Sequence, residues 1–420
     1  MMAALKFIVR RHPAVLVAPV APTPRELKRL SDIDDHDRMR FHVSAVQFYR
    51  RNESKSGVDP TMVIRHAIAK ALVHYYPLAG RLIELEGRKL AVDCTGDGVL
   101  FIEADIDIRL EQFGDALLPP FPCIEELFPD APGSFSDILD ASLLLFQVTR
   151  LACGGFILAV RINHTMFDGQ GLTQFLGAVA ELARGVLVPT IRPIWQRELL
   201  EARNPPRPSF PHPEFDEVPD ANSITMPFDQ MVCHTFLFGP KDVATLRAQL
   251  TAHLQKIATR FDIILGCLWK CRTMALSPDS NQEMSYAVEL IKKAKDEVDI
   301  EYMRSMADIT VLQKRVYNIP STCMYLVADT IRAKWSELDF GWGKPVYHGP
   351  AEVSGIPLLP WFSSFLLSFK NAKGEECVAL PMFLPAPAME RVMEEMDTLL
   401  RAPASDAALP QPNRMTRSAL

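Results

Sequence analysis

No stretch of the 420 residues approaches the ~18 consecutive apolar positions that a membrane-crossing helix requires. A soluble chain is expected. An excess of positive charge is also missing: 45 Lys and Arg stand against 51 Asp and Glu, a net charge of -6, and no basic stripe interrupts that balance. This removes the electrostatic footprint of a nucleic-acid binder, so an anionic ligand would need a local pocket. The eight cysteines, at 94, 123, 153, 233, 267, 271, 323 and 377, form no Cys-x-x-Cys pair and no zinc-finger spacing. The histidines near the motifs are not clustered with Cys or carboxylates at ligand spacing, so no metal site is expected. Reduced thiols in a cytosol-like compartment follow from sparse cysteine. Phosphate-loop, zinc-protease and nucleophile-elbow signatures are absent too. Gly169-Gln170-Gly171 imitates a dinucleotide fingerprint, but Gln174 stands in the third glycine's place.

What is present is an ordinary globular balance, 48% hydrophobic and 23% charged residues, on a chain long enough for two or three domains. Lys6, Arg10 and Arg11 precede the apolar Ala14–Ala18, but Pro19 ends that short run, which reads as a first β-strand rather than a signal peptide. The terminal Ser418-Ala419-Leu420 lacks the central base of the peroxisomal Ser-Lys-Leu signal; the cytoplasm is the expected compartment and the peroxisome the lesser alternative.

Ile64, Ile68, Leu72 and Tyr75 recur at helical spacing before Pro77. Residues 90–93 and 98–103, around Thr95-Gly96-Asp97, are expected to form a hairpin. Residues 143–151 and 156–162, around Cys153-Gly154-Gly155, are expected to form a second one. The second pair consists of nearly continuous apolar runs and should be buried on both faces. Asn163–Gly169 then leads into an apolar helical period from Leu172 to Leu182. Nine prolines between Pro189 and Pro227 mark a crossover, with domain 1–188 before it, the crossover at 189–230 and a second domain at 231–420. In the second domain, helices are expected at 241–254, 261–275, 285–308 and 388–401. Strands are expected at 233–238 and near 324–327, with a hairpin of 362–369 and 378–383. Strands and helices mix in both halves, giving an α/β fold class.

His-x-x-x-Asp occurs twice. The copy His212–Asp216 sits among prolines and lacks the glycine, so it reads as solvated linker, structural or inert. The copy His164–Asp168 follows an apolar strand, ends in Gly169 and opens a helix, so its imidazole can be fixed by the strand while one ring edge meets a cleft. A hydrogen-bonded core histidine is the other reading that context leaves open. With no nucleophilic Ser or Cys beside it, a neutral imidazole could take the proton of an alcohol attacking an already activated carbonyl such as a thioester. Asp168 could orient that ring, but an Asp in a turn more often bonds nearby backbone or an Arg. Gly169 would permit a sharp turn or a close approach. Asp339-Phe340-Gly341-Trp342-Gly343 reads as a tight turn, with Asp339 bonded to backbone or Arg and both aromatics packed inward.

His164-Thr165-Met166-Phe167-Asp168-Gly169 and Asp339-Phe340-Gly341-Trp342-Gly343, in this order and this far apart, resemble the two motifs of the plant BAHD acyl-CoA-dependent acyltransferases. The likeness extends to Leu30–Asp34, Tyr75–Arg81 and Leu268–Arg272, and is strongest to the alcohol acyltransferase branch that includes benzyl alcohol benzoyltransferases. It implies two chloramphenicol-acetyltransferase-like domains joined by a long crossover, with a solvent channel between them. It also implies acyl-CoA as co-substrate, no permanent cofactor and a small alcohol acceptor; independently of it, a monomer is the default expectation. His164 is implied as general base, with Asp168 and Gly169 structural and Asp339, Gly341, Trp342 and Gly343 as remote support.

The chain departs from the family pattern after Leu276. Two strand segments expected there, one like Asn/Val-x-Arg-Gly and one like Gly-Tyr-Tyr-Gly-Asn-Ala, have no counterpart. The sequence passes from Ser277–Met284 almost directly into the next helix. Arg260 and Ile331 replace a hydroxyl residue and a Thr. A catalytically impaired deletion isoform is therefore the rival reading, and a hydrolase that activates water with His164 a third.

Overall fold

The computed structural model describes residues 5–114, 117–130, 138–215, 231–277, 282–316, 325–351, 363–371 and 373–401. The chain divides into two compact units. The first comprises Met1–Met226, Val298–Phe369 and Ala379–Met382, and the second Pro227–Glu297, Lys370–Val378 and Phe383–Leu420.

In chain order, the first unit begins with β1 (Arg10–Arg11), β2 (Val15–Val17), β3 (Leu27–Arg29), β4 (His42–Tyr49) and α1 (Pro60–His74). It continues with β5 (Arg81–Glu84), β6 (Leu90–Asp93), β7 (Val99–Ile106), β8 (Leu144–Leu151), β9 (Phe156–Asn163) and α2 (Gly169–Ala183). The next elements are β10 (Met231–Phe238), α3 (Pro240–Ala248), α4 (Ala252–Ile257), α5 (Arg260–Leu276), α6 (Met284–Glu297) and α7 (Ile300–Leu312). β11 (Leu326–Asp329), β12 (Tyr347–Pro350), β13 (Ser363–Lys370), β14 (Glu376–Pro385) and α8 (Ala386–Arg401) complete the described chain.

The centre of the first unit is a seven-stranded sheet ordered β1-β7-β8-β9-β4-β12, with β2 also on β7. β8 and β9 form the expected antiparallel hairpin, from Leu144 opposite Ile162 to Arg150 opposite Phe156. Their uninterrupted apolar sequence follows from burial on both faces. Phe156, Leu158, Val160 and Ile162 enter a core with α1 and α2, whereas Ile157 and Ala159 face a second core with Phe48, Phe121 and Tyr347. α1 starts where Asp59 accepts from Thr61 N and Pro60 fills the first turn. It buries Ile64, Ile68 and Leu72.

Four expectations fail. Residues 90–93 and 98–103 are strands but not partners: β6 lies between β3 and β5 in a separate three-stranded sheet, whereas β7 joins β8 in parallel. Gly98 marks the parting, since a Cβ there would lie 2.3 Å from the Val17 carbonyl oxygen and its φ is +97°. The chain turns onto β2 rather than back onto β6. The helix expected at 241–254 is interrupted between α3 and α4, and that at 285–308 between α6 and α7, where Asp299 starts a new helix by accepting from Tyr302 N. His212 is no solvated linker residue. It is 1% exposed, and its Nε2 lies 2.7 Å from Ser305 Oγ. Asp216 and Ser418–Leu420 lie outside the described residues.

In the second unit, Gly266 lets α6 approach α5, since a Cβ there would meet Val288 Cγ2 at 2.4 Å. Lys295 reaches back to the buried Asp262 at 2.8 Å. Among the described residues no helix is long and apolar enough to cross a membrane.

Candidate active site

The β9–α2 turn is built from backbone chemistry. β9 ends at Asn163, whose Oδ1 accepts from Thr165 N at 3.2 Å and from Thr165 Oγ1 at 2.7 Å; an Asn side chain standing in for backbone in this way turns a strand sharply. Asp168 then caps α2, its Oδ1 accepting from Gln170 N and Gly171 N, both at 2.9 Å. Gly171 is the glycine that this turn demands, because a Cβ would stand 2.4 Å from Phe167 Cβ. Gly169 is under no such constraint: its Cβ would meet only Trp335 Cζ2, at 3.6 Å. Arg197 braces the turn from outside, donating to the carbonyls of Thr165 (3.1 Å) and Met166. Its charge is matched by Asp34 at 2.7 Å.

His164 is held inside this frame. Its backbone N donates to the Phe41 carbonyl at 2.9 Å, and its ring lies 5.3 Å from the Phe41 ring at a 56° tilt. Nδ1 is buried and has no hydrogen-bond partner among the described residues. Burial lowers the pKa of the imidazole below the ordinary value, against the opposing pull of its own main chain and of the Asp168 and Asp34 carboxylates. His164 therefore stays neutral through the neutral pH range, the form in which it accepts a proton.

His164 lines a cavity of about 570 Å³ whose described lining residues belong to the first unit. The volume is within the range of small-molecule sites. Met39, Phe41 and Val43 form one wall, Ile162 and Leu172 another, and Leu326, Ala328, Trp335 and Phe365 a third. The lining surface is mainly apolar, and His36, Arg38, Asp168, Thr330 and Ser363 are among the polar side chains that reach it. Burial, followed by the charge of Arg38, pushes the His36 pKa down to about 4.

The loop bearing His36 is rigid for a reason the sequence does not advertise. Asp32, Asp35, Lys89 and Arg315 form a buried network: Lys89 and Arg315 bond Asp32 at 2.6 and 2.5 Å, and Arg315 bonds Asp35 at 2.9 Å. Removing one member of such a network leaves a buried charge unpaired, at about 3–5 kcal/mol.

None of Asp339–Gly343 lines the cavity. Asp339 Oδ1 accepts from Gly341 N at 2.7 Å and Gly343 N at 2.9 Å. Both glycines adopt left-handed backbone, with φ +105° and +93°. Phe340 packs edge-on against Tyr49 at 5.7 Å and Trp342 against Phe156 at 5.5 Å. Phe41, His36, Arg197 and Trp335 carried no local sequence signal of a site. Among the described residues no three His, Cys, Asp or Glu side chains are grouped to hold a metal ion.

The sequence model of the Transferase family matches residues 9–283 and 280–399. Benzyl alcohol O-benzoyltransferase of Nicotiana tabacum is 46% identical over 443 aligned residues, covering 95% of each chain. Alcohol acyltransferase 16 of Actinidia chinensis var. chinensis is 43% identical, covering 93% of each. Alcohol acyl transferase 1 allele GSd of Malus domestica is 41% identical, covering 95% of each. Among solved structures, vinorine synthase superposes with a TM-score of 0.67 at 19% identity, covering 93% of this chain and 98% of that one. TRI101 of F. sporotrichioides, complexed with coenzyme A and T-2, gives 0.62 at 13% identity, covering 88% and 97%. These two likenesses establish the two-domain, chloramphenicol-acetyltransferase-like α/β fold.

Proposed function

The chain belongs to the BAHD-type Transferase family of acyltransferases, and from that premise we propose that it moves an acyl or aroyl group, such as benzoyl or acetyl, from coenzyme A to a small alcohol such as benzyl alcohol, with His164 as general base. The observation that carries this reading is a neutral imidazole, anchored by its main chain, on the wall of a largely apolar cavity. Nδ1 is buried without a hydrogen-bond partner among the described residues, and we assign Nε2 as the working nitrogen. It takes the hydroxyl proton as the alcohol oxygen bonds to the thioester carbonyl carbon. The tetrahedral intermediate then collapses, the carbon–sulfur bond breaks, and the imidazolium returns its proton to the departing thiolate. No acyl-enzyme forms, and base assistance of this kind is worth about 10²–10⁴ in rate. The names of the alcohol acyltransferase relatives support the acceptor class.

A second reading is favoured by a specific observation. The alignment with the tobacco relative spans 443 positions while taking in 95% of this chain, and the family model matches in two stretches that meet at 280–283. Both support an internal shortening near Met284, on which the reading of a catalytically impaired isoform rests.

One assay separates the two readings: coenzyme A release from benzoyl-CoA or acetyl-CoA by monodisperse protein, with and without benzyl alcohol, beside His164→Ala. Alcohol-dependent release that disappears in the variant is the expected result. A folded protein that releases none with several donors and alcohols overturns the transferase reading for this chain and leaves the impaired form. Release without alcohol points to a hydrolase.

A further inference from the structure

The segment leading into the second motif touches α2 at three successive places. At the N-terminal end, Trp335 Nε1 donates to the Gly169 carbonyl at 3.1 Å. Along the middle, a Cβ built on Gly177 would stand 4.0 Å from Leu338 Cδ2. At the C-terminal end, Arg184, the residue that closes the helix, donates to the main-chain carbonyl of Asp339. Fifteen residues of α2 span roughly 22 Å at ~1.5 Å per residue, so residues 335–339 lie along the helix as a splint. The far end of the splint is fixed by the Asp339 turn, and Tyr49 holds its middle through a hydroxyl donated to the Leu338 carbonyl at 2.9 Å.

Only the first of the three contacts is at the cavity. Trp335 and Gly169 both line it, whereas Leu338 and Arg184 do not. Gly169 directly follows the Asp168 cap and is five residues after His164, so its carbonyl is the point where the turn carrying the imidazole becomes helix. We propose that Trp335 is a positioning residue for His164: its indole N–H fixes the first turn of α2, and through it the turn that aims the imidazole into the cavity. The proposal rests on His164 being the base. It gives the two motifs a physical connection, with the near end of the splint serving alignment and the far end serving stability.

Misplacing a reacting group by ~1 Å can cost about 10² in rate, whereas the Gly169 carbonyl keeps a second side-chain donor, Thr173 Oγ1 at 2.8 Å, when the indole bond is lost. Trp335→Phe retains an aromatic ring and removes the N–H. Its kcat should fall about 10-fold, with KM for acyl-CoA and alcohol within about twofold and a Tm loss of no more than a few degrees, and the ¹⁵N ring signals of His164 should move. Arg184→Met should instead lower Tm by a few degrees while leaving kcat and the ring signals as they are. Unchanged kcat and unchanged His164 signals in Trp335→Phe overturn the proposal, as does a rate loss that only tracks a loss of folded protein. If the wild-type chain transfers no acyl group, the reading of His164 as base fails, and the ring signals still decide whether Trp335 positions it.

Discussion

His164 and His212 open two copies of the same spacing, and their surroundings could hardly differ more. His164 sits where a strand buried on both faces becomes a helix, with Nδ1 buried and the ring on a cavity wall. His212 sits in a proline-rich segment with φ +49°, enclosed by Phe210, Phe215 and Tyr302. Ser305 Oγ accepts from the backbone N of Ser209 and of Phe210, at 2.9 and 3.1 Å. With both lone pairs engaged, the hydroxyl proton goes to His212 Nε2. This serine–histidine pair is sealed and serves as a pin between the crossover and α7. Spacing therefore selects neither histidine. What separates them is access to a cavity.

The largest break in that contrast is His164→Ala, expected to cost about 10²–10⁴ in transfer rate with an unaltered circular dichroism spectrum. Retained transfer would show that another group is the base. Acid sharpens the contrast next. His42, pushed by burial and then by the charge of Arg161 to about 4, and His36, also at about 4, stay neutral when folded but protonate near ~6.5 when unfolded. Between those values the unfolded chain binds more protons, so stability is complete above pH ~6.5 and declines as pH falls toward 4. For the 8%-exposed His42 this amounts to on the order of 3 kcal/mol. Because the His164 pKa is lowered as well, transfer should hold through pH ~6.5 and fade only below it. Urea midpoints and kcat measured across pH 4–8 test both curves, and a rate that halves above pH 7 would contradict the neutral, half-buried imidazole. His42→Gln should flatten the stability curve without moving the rate profile.

His212→Ala is the mirror of His164→Ala. It leaves the Ser305 hydroxyl proton without its acceptor and opens a gap beside Tyr302, at about 2–3 kcal/mol, read as a lower urea midpoint. Activity per folded molecule should match wild type; a rate loss at full folding would mean that the pin reaches the cavity.

Legibility followed the range of the interactions. The β8–β9 hairpin could be read from apolar runs around Gly154-Gly155, and α2 from Leu172, Phe175, Leu176 and Val179, because period and turn chemistry are local. The expectation for residues 90–103 failed because Gly96 and Gly98 announce a turn without saying which sheet the chain enters next. That is decided by the approach to Val17, some eighty residues earlier in the sequence. Within the site, His164 stood out by its strand–turn–helix context. Arg197, Phe41 and Trp335 were illegible because each acts across the fold: the guanidinium on carbonyls 32 and 31 residues away, the indole on one 166 residues away. His36 faces the cavity only because Asp32 and Asp35 on its own loop are locked by Lys89 and Arg315, and four charges dispersed through the chain give no pattern.

The smallest effect is the most discriminating for Asp168, which the spacing casts as a possible partner of the imidazole. In a serine triad, Asp→Asn costs about 10⁴ in kcat because the ring loses its orienting partner. Here Oδ1 of Asp168 is occupied by the backbone N of Gln170 and Gly171, and an Asn presents the same oxygen to the same donors. Asp168→Asn should therefore stay within a few tenths of a kcal/mol of wild type in stability, whereas Asp168→Ala should lose about 1 kcal/mol with the cap. Only the charge differs in the Asn variant. Since the Asp168 carboxylate pulls the His164 pKa upward, its neutralisation should shift the acid limb of the rate profile to lower pH and leave the plateau in place. A collapse of the plateau on the scale of a triad mutant would make Asp168 an orienting residue and the cap incidental; an intact plateau with a shifted limb identifies it as the residue that starts α2 and tunes its neighbour by charge alone.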